Sequence, residues 1–194
     1  MKFILDTAWP LRATYFTEQG APTYRINRDP NADPLERKTP IEKMDPRSGN
    51  FFTFAELEVN PPGYSDILRM GNYFQQNADL FFRREPGIGS AGDDHIFMGP
   101  DGCQYRWKAN AQFCELVLNN GLNTPVATFH SKQFDILSCV MQDPYPAMLE
   151  IFPIGEHMID LIMVTYAYVE RIRRAFCDER ERRRQRRTAN PSLL

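Results

Sequence analysis

The segment Gly87–Gly92 reads G-I-G-S-A-G and matches the spacing G-x-G-x-x-G of dinucleotide-binding loops. In those loops a strand precedes the glycines and a helix follows them, so that backbone amides and the helix N-terminus face the pyrophosphate. Here Pro86 precedes the glycines, and the residues that follow Asp93 and Asp94 are strand-like. The two carboxylates would also repel a phosphate. We therefore predict a flexible loop and no cofactor-binding residues.

Histidine and cysteine side chains are candidates for a zinc site, and the chain offers His95, His130, His157, Cys103 and Cys114. Structural zinc sites pair their ligands at spacings such as C-x2–4-C or H-x3–5-H. No pair in this chain has such a spacing. We therefore predict structural or surface histidines and no metal ligands.

Side chains for nucleophilic or acid–base catalysis are equally scattered. Ser131 is adjacent to His130, which places the two side chains on opposite faces of a strand, and no G-x-S-x-G motif is present. Glu56 and Glu58 share a strand face with phenylalanines, which indicates a sheet wall and not a catalytic pair. Asp160 lies in an apolar helical segment, where we expect a structural partner such as an arginine. The sequence predicts no catalytic residues and favours a protein that is not an enzyme.

Basic residues are concentrated near the C-terminus. The formal net charge is −2, but residues 171–187 contain nine arginines against three acids and carry +6, so the remaining residues carry −8. Such a tail attracts the phosphates of lipid or nucleic acid. The alternative is a solvated helix with i,i+4 ion pairs such as Asp178–Arg182 and Glu179–Arg183. The candidate contacts to an anionic partner are Arg180, Arg182, Arg183, Arg184, Arg186 and Arg187.

Aromatic side chains such as Phe97, Tyr105 and Trp107 suggest a stacking platform for bases. Such a platform needs interleaved basic residues, and only Arg106 and Lys108 meet that requirement in an acidic body. Core packing is the favoured interpretation. We therefore expect anionic phospholipid or an acidic protein surface as the partner, with nucleic acid less favoured.

The composition indicates a single domain with many short elements. The chain has 194 residues, 42% hydrophobic residues, 15 prolines and 11 glycines, which argues against both disorder and a helical bundle. Residues 1–6 lack the apolar run of a signal peptide, and the four cysteines are scattered. The longest uninterrupted apolar run, 161–169, is too short for a membrane span. We expect an intracellular, cytoplasmic protein that associates with a membrane surface or the nucleus.

Alternating apolar residues and turn residues predict a series of short strands. The clearest turn is Gly99–Gly102, because Asp-Gly supplies the positive φ that a hairpin needs. The predicted strands are Thr14–Thr17, Thr23–Asn27, Arg37–Lys43, Phe51–Val59, Ser65–Met70, Asp79–Arg83, His95–Met98, Cys103–Ala109, Phe113–Leu118, Pro125–His130 and Ala147–Phe152.

The segment Glu156–Phe176 contains neither glycine nor proline and predicts a long helix. Residues 158–169 leave almost no polar face, so this helix must be buried on all sides. A two-layer sandwich would bury only one side. We therefore predict a mainly β fold, a closed antiparallel barrel of about twelve strands around one long C-terminal helix. The helix residues expected to be nearly fully buried are Leu161, Ile162, Val164 and Val169.

The segment Phe97–Lys108, F-M-G-P-D-G-C-Q-Y-R-W-K, resembles the G-P-D-G-x-x-Y-x-W segment of a fungal (mushroom-type) family of unknown function. The similarity continues through Leu116, 126–129 and the end of the hydrophobic helix, and it covers roughly residues 50–176. That family is similar to the tubby C-terminal-like group, which includes LURP-one-related proteins and phospholipid scramblases. The resemblance implies a barrel of about twelve strands around a hydrophobic C-terminal helix, and it implies little about chemistry. It transfers no individual site residue.

These observations favour a barrel domain over residues 1–177, with the place of residues 1–50 left open, and a basic tail over residues 178–194. The expected function is a non-enzymatic binding module that contacts anionic lipid or an acidic partner through the tail. Two alternatives stay open: a small-molecule carrier or cryptic enzyme with a pocket at the barrel mouth, and a nuclear factor that uses the arginines on nucleic acid.

Overall fold

The structure is a computed structural model, and it describes residues 1–27, 37–61, 63–72, 74–87, 92–109, 114–131 and 146–189. Within these ranges the chain forms one antiparallel sheet of thirteen strands. The strands are β1 (Lys2–Leu5), β2 (Arg12–Thr17), β3 (Pro22–Asn27), β4 (Lys38–Met44), β5 (Phe51–Glu58), β6 (Ile67–Met70), β7 (Phe74–Asn77), β8 (Arg83–Glu85), β9 (Asp94–Met98), β10 (Gln104–Ala109), β11 (Cys114–Leu118), β12 (Pro125–His130) and β13 (Met148–Ile151). The helices are α1 (Ala78–Phe81), a 3-10 helix (Pro153–Met158) and α2 (Ile159–Ala189).

The strand order follows the chain in two runs that meet at β1. The order is β7-β6-β5-β4-β3-β2-β1-β13-β12-β11-β10-β9-β8. Strand β1 pairs with β2 through Ile4 and Phe16 and with β13 through Phe3 and Leu149. Strand β1 therefore joins the two runs of strands, and none of the strands β1–β4 lies at an edge of the sheet. This places the strands β1–β4 in the same sheet as the later strands, a question that the sequence left open.

The sheet is not closed, and the prediction of a closed barrel is wrong. Its edge strands are β7 and β8, and no backbone ladder joins them in the part of the chain that the structure describes. Residues 79–81 of the predicted strand Asp79–Arg83 lie instead in the helical turn α1, whose closing hydrogen bond runs from Phe82 N to Ala78 O at 2.8 Å, and Arg83 begins β8. Backbone groups that pair within α1 cannot extend a ladder from β7 to β8.

Aromatic packing crosses the gap that hydrogen bonds leave open. Phe81 of α1 stacks on Phe74 of β7 with ring centroids 5.6 Å apart, and on Phe97 of β9 at 5.7 Å. Phe82 stacks on Tyr168 of α2 at 5.2 Å. Ring contacts of this kind add to the free energy gained by burying apolar area. The two edges of the sheet are thus held near α2 by side chains.

The prediction of a helix buried on all sides is confirmed. Nine consecutive residues of α2, 162–170, are buried. Of the four residues expected to be buried, Ile162, Val164 and Val169 are at most 1% exposed, whereas Leu161 is only partly buried. No helix among the described residues carries an apolar stretch long enough to cross a membrane.

Polar contacts attach α2 to both halves of the sheet. Thr165 Oγ1 accepts a hydrogen bond of 3.0 Å from Trp107 Nε1 on β10. The Tyr168 hydroxyl donates to Asp66, which precedes β6, at 3.2 Å. Because these partners lie on opposite runs of strands, the sheet must curve around the helix to reach both. The curvature explains how one sheet buries a helix that has no polar stripe.

The predicted β9–β10 hairpin is confirmed. Gly99 N donates to Cys103 O at 2.8 Å, and Cys103 N donates to Asp101 Oδ1 at 3.1 Å. Gly102 has a φ of +77°, a region that side chains rarely adopt and that glycine occupies readily. The predicted boundary between the domain and the basic tail at residue 177 stays a prediction. Helix α2 continues through this residue without a break.

Candidate functional site

A groove opens at the end of the sheet where α2 leaves it. Its volume is about 560 Å³. Three segments far apart in the sequence form its walls: the β1–β2 connection, the residue after β5, and the exposed side of α2. The lining residues are Trp9, Leu11, Arg12, Val59, Arg171, Ile172, Arg174, Ala175, Asp178, Glu179 and Arg182.

Trp9 is the most prominent apolar group of the groove. Its side chain is 61% exposed, and the guanidinium carbon of Arg174 lies 4.8 Å from its ring centroid. Backbone contacts hold it in place, since Trp9 N donates to Thr7 Oγ1 at 3.1 Å and Arg12 N donates to Trp9 O at 2.8 Å. A large aromatic group held at the surface is unusual, because burying it would contribute favourably to folding.

Buried residues hold the β1–β2 connection, which carries Trp9, in place. The Tyr15 hydroxyl is buried and donates to Pro10 O at 2.8 Å. Leu11, which follows Pro10, is 6% exposed. The buried Pro10 and Leu11 therefore fix the backbone on which Trp9 is displayed. Trp9 is therefore exposed on a turn whose backbone is held by buried contacts.

The arginines of the groove differ in what they already contact. Arg171 donates to Thr39 Oγ1 at 2.7 Å and to Arg37 O at 3.3 Å. Arg174 forms an ion pair with Glu170. Arg171 therefore fixes α2 against the sheet at Thr39, whereas the ion pair of Arg174 lies within α2.

Arg12 and Arg182 have no such partners. Both line the groove, and within the described residues neither makes a hydrogen bond or an ion pair through its side chain. Of the two acids in the groove, Glu179 is paired with Arg183 at 2.9 Å, whereas Asp178 has no ion pair among the described residues. The groove therefore presents two unpaired positive charges and one unpaired negative charge.

A buried ion cluster lies on α2 directly below the groove. Glu170 is 0% exposed and binds Arg173 with distances of 2.6 and 2.9 Å. The Cys114 thiol lies 3.5 Å from the same carboxylate. Burial, and then the negative charge of Glu170, raises the pKa of the Cys114 thiol. Because a thiol is nucleophilic as its thiolate, this cysteine is a packing group and not a reactive one.

The predicted anionic-partner residues lie on the exposed end of α2. Arg180, Arg182, Arg183, Arg184 and Arg186 are all exposed, and the side chain of Arg187 lies outside the described residues. Of the two expected ion pairs, Glu179–Arg183 forms at 2.9 Å. The pair Asp178–Arg182 does not form within the described residues. The exposed end of α2 therefore carries one of the two expected ion pairs, and its arginine side chains are exposed to solvent.

The three histidines lie apart from one another. His130 Nε2 is 3.1 Å from Glu150, and His157 Nε2 is 3.7 Å from Asp101, both near the surface. His95 is buried at 3% exposure. In the part of the chain that the structure covers, no three His, Cys, Asp or Glu side chains are grouped as metal ligands would be.

Asp160 has the structural partners that the sequence led us to expect. Lys43 Nζ lies 2.8 Å from each of its carboxylate oxygens, and the Tyr24 hydroxyl donates to it. Burial, and then the hydrogen bond to Asp160, raises the pKa of Tyr24. The carboxylate lies in the first turn of α2, where it also interacts favourably with the helix dipole.

The remaining motifs also have structural explanations. Arg69 Nη1 binds Glu56 at 2.9 Å and Glu58 at 2.7 Å, which makes the two acids an ion-pair network on the sheet. The glycine motif lies between the antiparallel strands β8 and β9, so the segment after it is a strand and not a helix. Its residues 88–91 lie outside the described part of the chain.

Sequence reasoning found the arginines of the tail but not the groove at its base. The groove is assembled from residues near 10, 59 and 175, and no spacing in the sequence connects these positions. Trp9 offered a weak signal, as a tryptophan that follows Asp6-Thr7-Ala8 and precedes Pro10. Its exposure could be known only once the β1–β2 turn was placed.

A family model described as a family of unknown function (DUF6593) matches residues 9–175. The matched range begins at Trp9 and ends at Ala175, so it includes the sheet from β2 to β13 and stops before the exposed arginines. No curated protein and no solved structure matches the chain. The resemblance to the tubby C-terminal-like group stays a prediction.

Proposed function

The chain belongs to the DUF6593 family, and we propose that it is a non-enzymatic module that binds membrane surfaces containing anionic phospholipid. The observation that supports this proposal is the position of the tail. The exposed arginines of α2 leave the sheet beside Trp9, an exposed aromatic side chain on a fixed turn. Arginine and tryptophan together are typical of proteins that contact the interface of a bilayer.

The length of the exposed helix determines its reach. Residues 175–189 extend α2 beyond its buried part, which corresponds to about 22 Å at about 1.5 Å per residue. A helix of this length can lie along a membrane surface while the sheet stays in solution. Its long arginine side chains suit the charged headgroup region.

Electrostatics alone gives a weak attachment. Each basic residue near an anionic membrane contributes about 1 kcal/mol, and the acids at 178, 179 and 181 offset part of this. A second contact is therefore needed for stable binding. Trp9 can supply it, because an indole ring inserts into the headgroup region with its apolar body and retains a polar N–H.

Co-sedimentation with vesicles tests the proposal. We expect the full chain to bind vesicles that contain phosphatidylserine and not vesicles of phosphatidylcholine alone. Binding should weaken steeply between about 10 mM and about 150 mM salt, as the Debye length falls from about 30 Å to about 8 Å. A variant with five tail arginines changed to glutamine should lose binding while it stays folded: Arg182, Arg183, Arg184, Arg186 and Arg187.

A charge-matched variant separates the tail from the net charge of the protein. It carries glutamine in place of four basic residues of the strands and one of the β4–β5 turn: Lys2, Arg25, Lys38, Arg83 and Arg47. This variant should bind vesicles as the unmodified chain does. Equal loss of binding in the two variants would show that net charge matters and not the tail. No vesicle binding by the unmodified chain at low salt would contradict the proposed function.

A further inference from the structure

We propose that the groove beside Trp9 binds the headgroup of a single phosphatidylserine molecule. This inference rests on the proposed function and adds a ligand class to it. The groove volume of about 560 Å³ lies in the range of pockets that bind small ligands, and its wall is partly apolar through Leu11, Val59 and Ile172. A ligand with both a charged and an apolar part would use the whole surface.

Charge complementarity identifies the headgroup. The unpaired charges are the guanidinium groups of Arg12 and Arg182 and the carboxylate of Asp178. Phosphatidylserine carries two anions, a phosphate and a carboxylate, and one ammonium group. The two arginines match the two anions, and Asp178 matches the ammonium. Phosphatidylglycerol has a phosphate but no ammonium group, so Asp178 would repel it without compensation.

The other charged groups of the groove already have partners, and only Glu179, which pairs with Arg183, also acts on the charge of Arg182. Arg171 is held by Thr39, Arg174 by Glu170, and Glu179 by Arg183. These contacts keep the wall rigid, which reduces the entropy lost on binding. The glycerol and the first acyl carbons would then lie against Trp9 and the apolar wall.

The two tryptophans provide an internal reporter. Trp9 is 61% exposed at the groove, whereas Trp107 is 0% exposed in the core. A ligand that enters the groove therefore changes the emission of Trp9 and leaves that of Trp107 unchanged. Trp9→Phe should remove the change and so assign it.

The test uses dihexanoyl phosphatidylserine, which is soluble as a monomer, titrated into the full chain below its micelle concentration. We expect saturable binding of one molecule, seen by tryptophan emission and by calorimetry. Arg12→Gln and Arg182→Gln should each weaken binding about tenfold, which corresponds to about 1.4 kcal/mol. Arg186→Gln is the matched control, since Arg186 is an exposed arginine of the same helix that does not line the groove.

Asp178→Asn tests the recognition of the ammonium group. The unmodified chain should prefer dihexanoyl phosphatidylserine to dihexanoyl phosphatidylglycerol, and this variant should lose the preference while it keeps its affinity for anions. A preference that persists in the variant would overturn the assignment of the headgroup. Absence of saturable binding, or equal affinity in Arg12→Gln and Arg186→Gln, would overturn the site.

The vesicle and soluble-lipid assays can fail independently. Vesicle binding without binding of the soluble lipid leaves the proposed function in place and rejects the groove as a headgroup site. Binding of the soluble lipid without vesicle binding rejects the membrane function and supports a lipid carrier. The two measurements therefore distinguish the inference from the function on which it rests.

Discussion

The imidazole of His95 gives the fold a pH dependence that can be calculated. The ring lies between Phe82 and Tyr168, with centroid distances of 5.4 and 6.0 Å, and the side chain is 3% exposed. Neither ring nitrogen has a hydrogen-bond partner in the described structure. Burial, with a smaller contribution from Arg84, lowers the pKa of His95 from 6.5 to about 4. The opposing effect of Asp93 is minor.

The direction of this pH dependence follows from the difference in proton binding between the folded and unfolded states. Between pH 4 and pH 6.5 the unfolded chain binds a proton at His95 that the folded chain does not. The contribution of His95 to stability is therefore complete above the unfolded pKa and is lost as the pH falls through 6.5 toward 4. The loss amounts to about 2 kcal/mol at pH 5 and about 3 kcal/mol below pH 4.

The prediction is tested by urea unfolding of the unmodified chain and of His95→Phe at pH 8 and pH 5. Phenylalanine keeps an aromatic ring at this position and removes the titrating nitrogens. At pH 8 the two proteins should have similar free energies of unfolding. At pH 5 the variant should be more stable by about 2 kcal/mol. Other titrating groups are present in both proteins and cancel in the difference.

A further variant excludes a general effect of losing a histidine. His130→Gln removes a histidine whose side chain is 41% exposed beside Glu150, and unfolding of this variant at pH 8 and pH 5 measures the effect of losing a histidine at the surface. Parallel pH profiles for the unmodified chain and His95→Phe would refute the argument from burial. A protein destabilised by His95→Phe at pH 8 would show that the ring nitrogens make a contact that stabilises the fold.

Four more substitutions test the core and one glycine with a positive φ. Ile162→Ala should lower the free energy of unfolding by about 2–5 kcal/mol, because Ile162 is 0% exposed. Leu161→Ala should lower it by less, because Leu161 is only partly buried. Thermal unfolding followed by calorimetry measures both effects. Glu170→Gln should cost about 3–5 kcal/mol in urea unfolding, because it removes the charge of a buried partner of Arg173. Gly92→Ala should cost about 1–2 kcal/mol in the same assay, because φ at Gly92 is +106°, although its Cβ would meet no atom within 4 Å.

The helix and most strands could be predicted because their signals are local. An apolar segment without a polar stripe must be buried, and 162–170 is buried. Turns such as Gly99–Gly102 require glycine at a positive φ, which the sequence displays directly. These predictions depend on neighbours in the chain, so they hold without knowledge of the sheet order.

The closure of the sheet could not be predicted from the same signals. Asp79–Arg83 has the composition of a strand, but Phe81 stacks on Phe74 and Phe97, which are distant from one another in the sequence. The groove was missed for a related reason. Trp9 and Ala175 are distant in sequence, and their proximity follows from the exit of α2 beside the β1–β2 turn.

A competition between phosphatidylserine vesicles and duplex DNA tests the proposed function most directly. The full chain is mixed with both at equal concentrations of accessible phosphate and at about 10 mM salt, where the Debye length is about 30 Å, and the bound fractions are separated by sedimentation. Our account predicts that the chain associates with the vesicles, because Trp9 and the apolar wall of the groove find partners in a bilayer and none on a duplex. Retention of the chain on DNA, or its absence from both fractions, would contradict the proposed function.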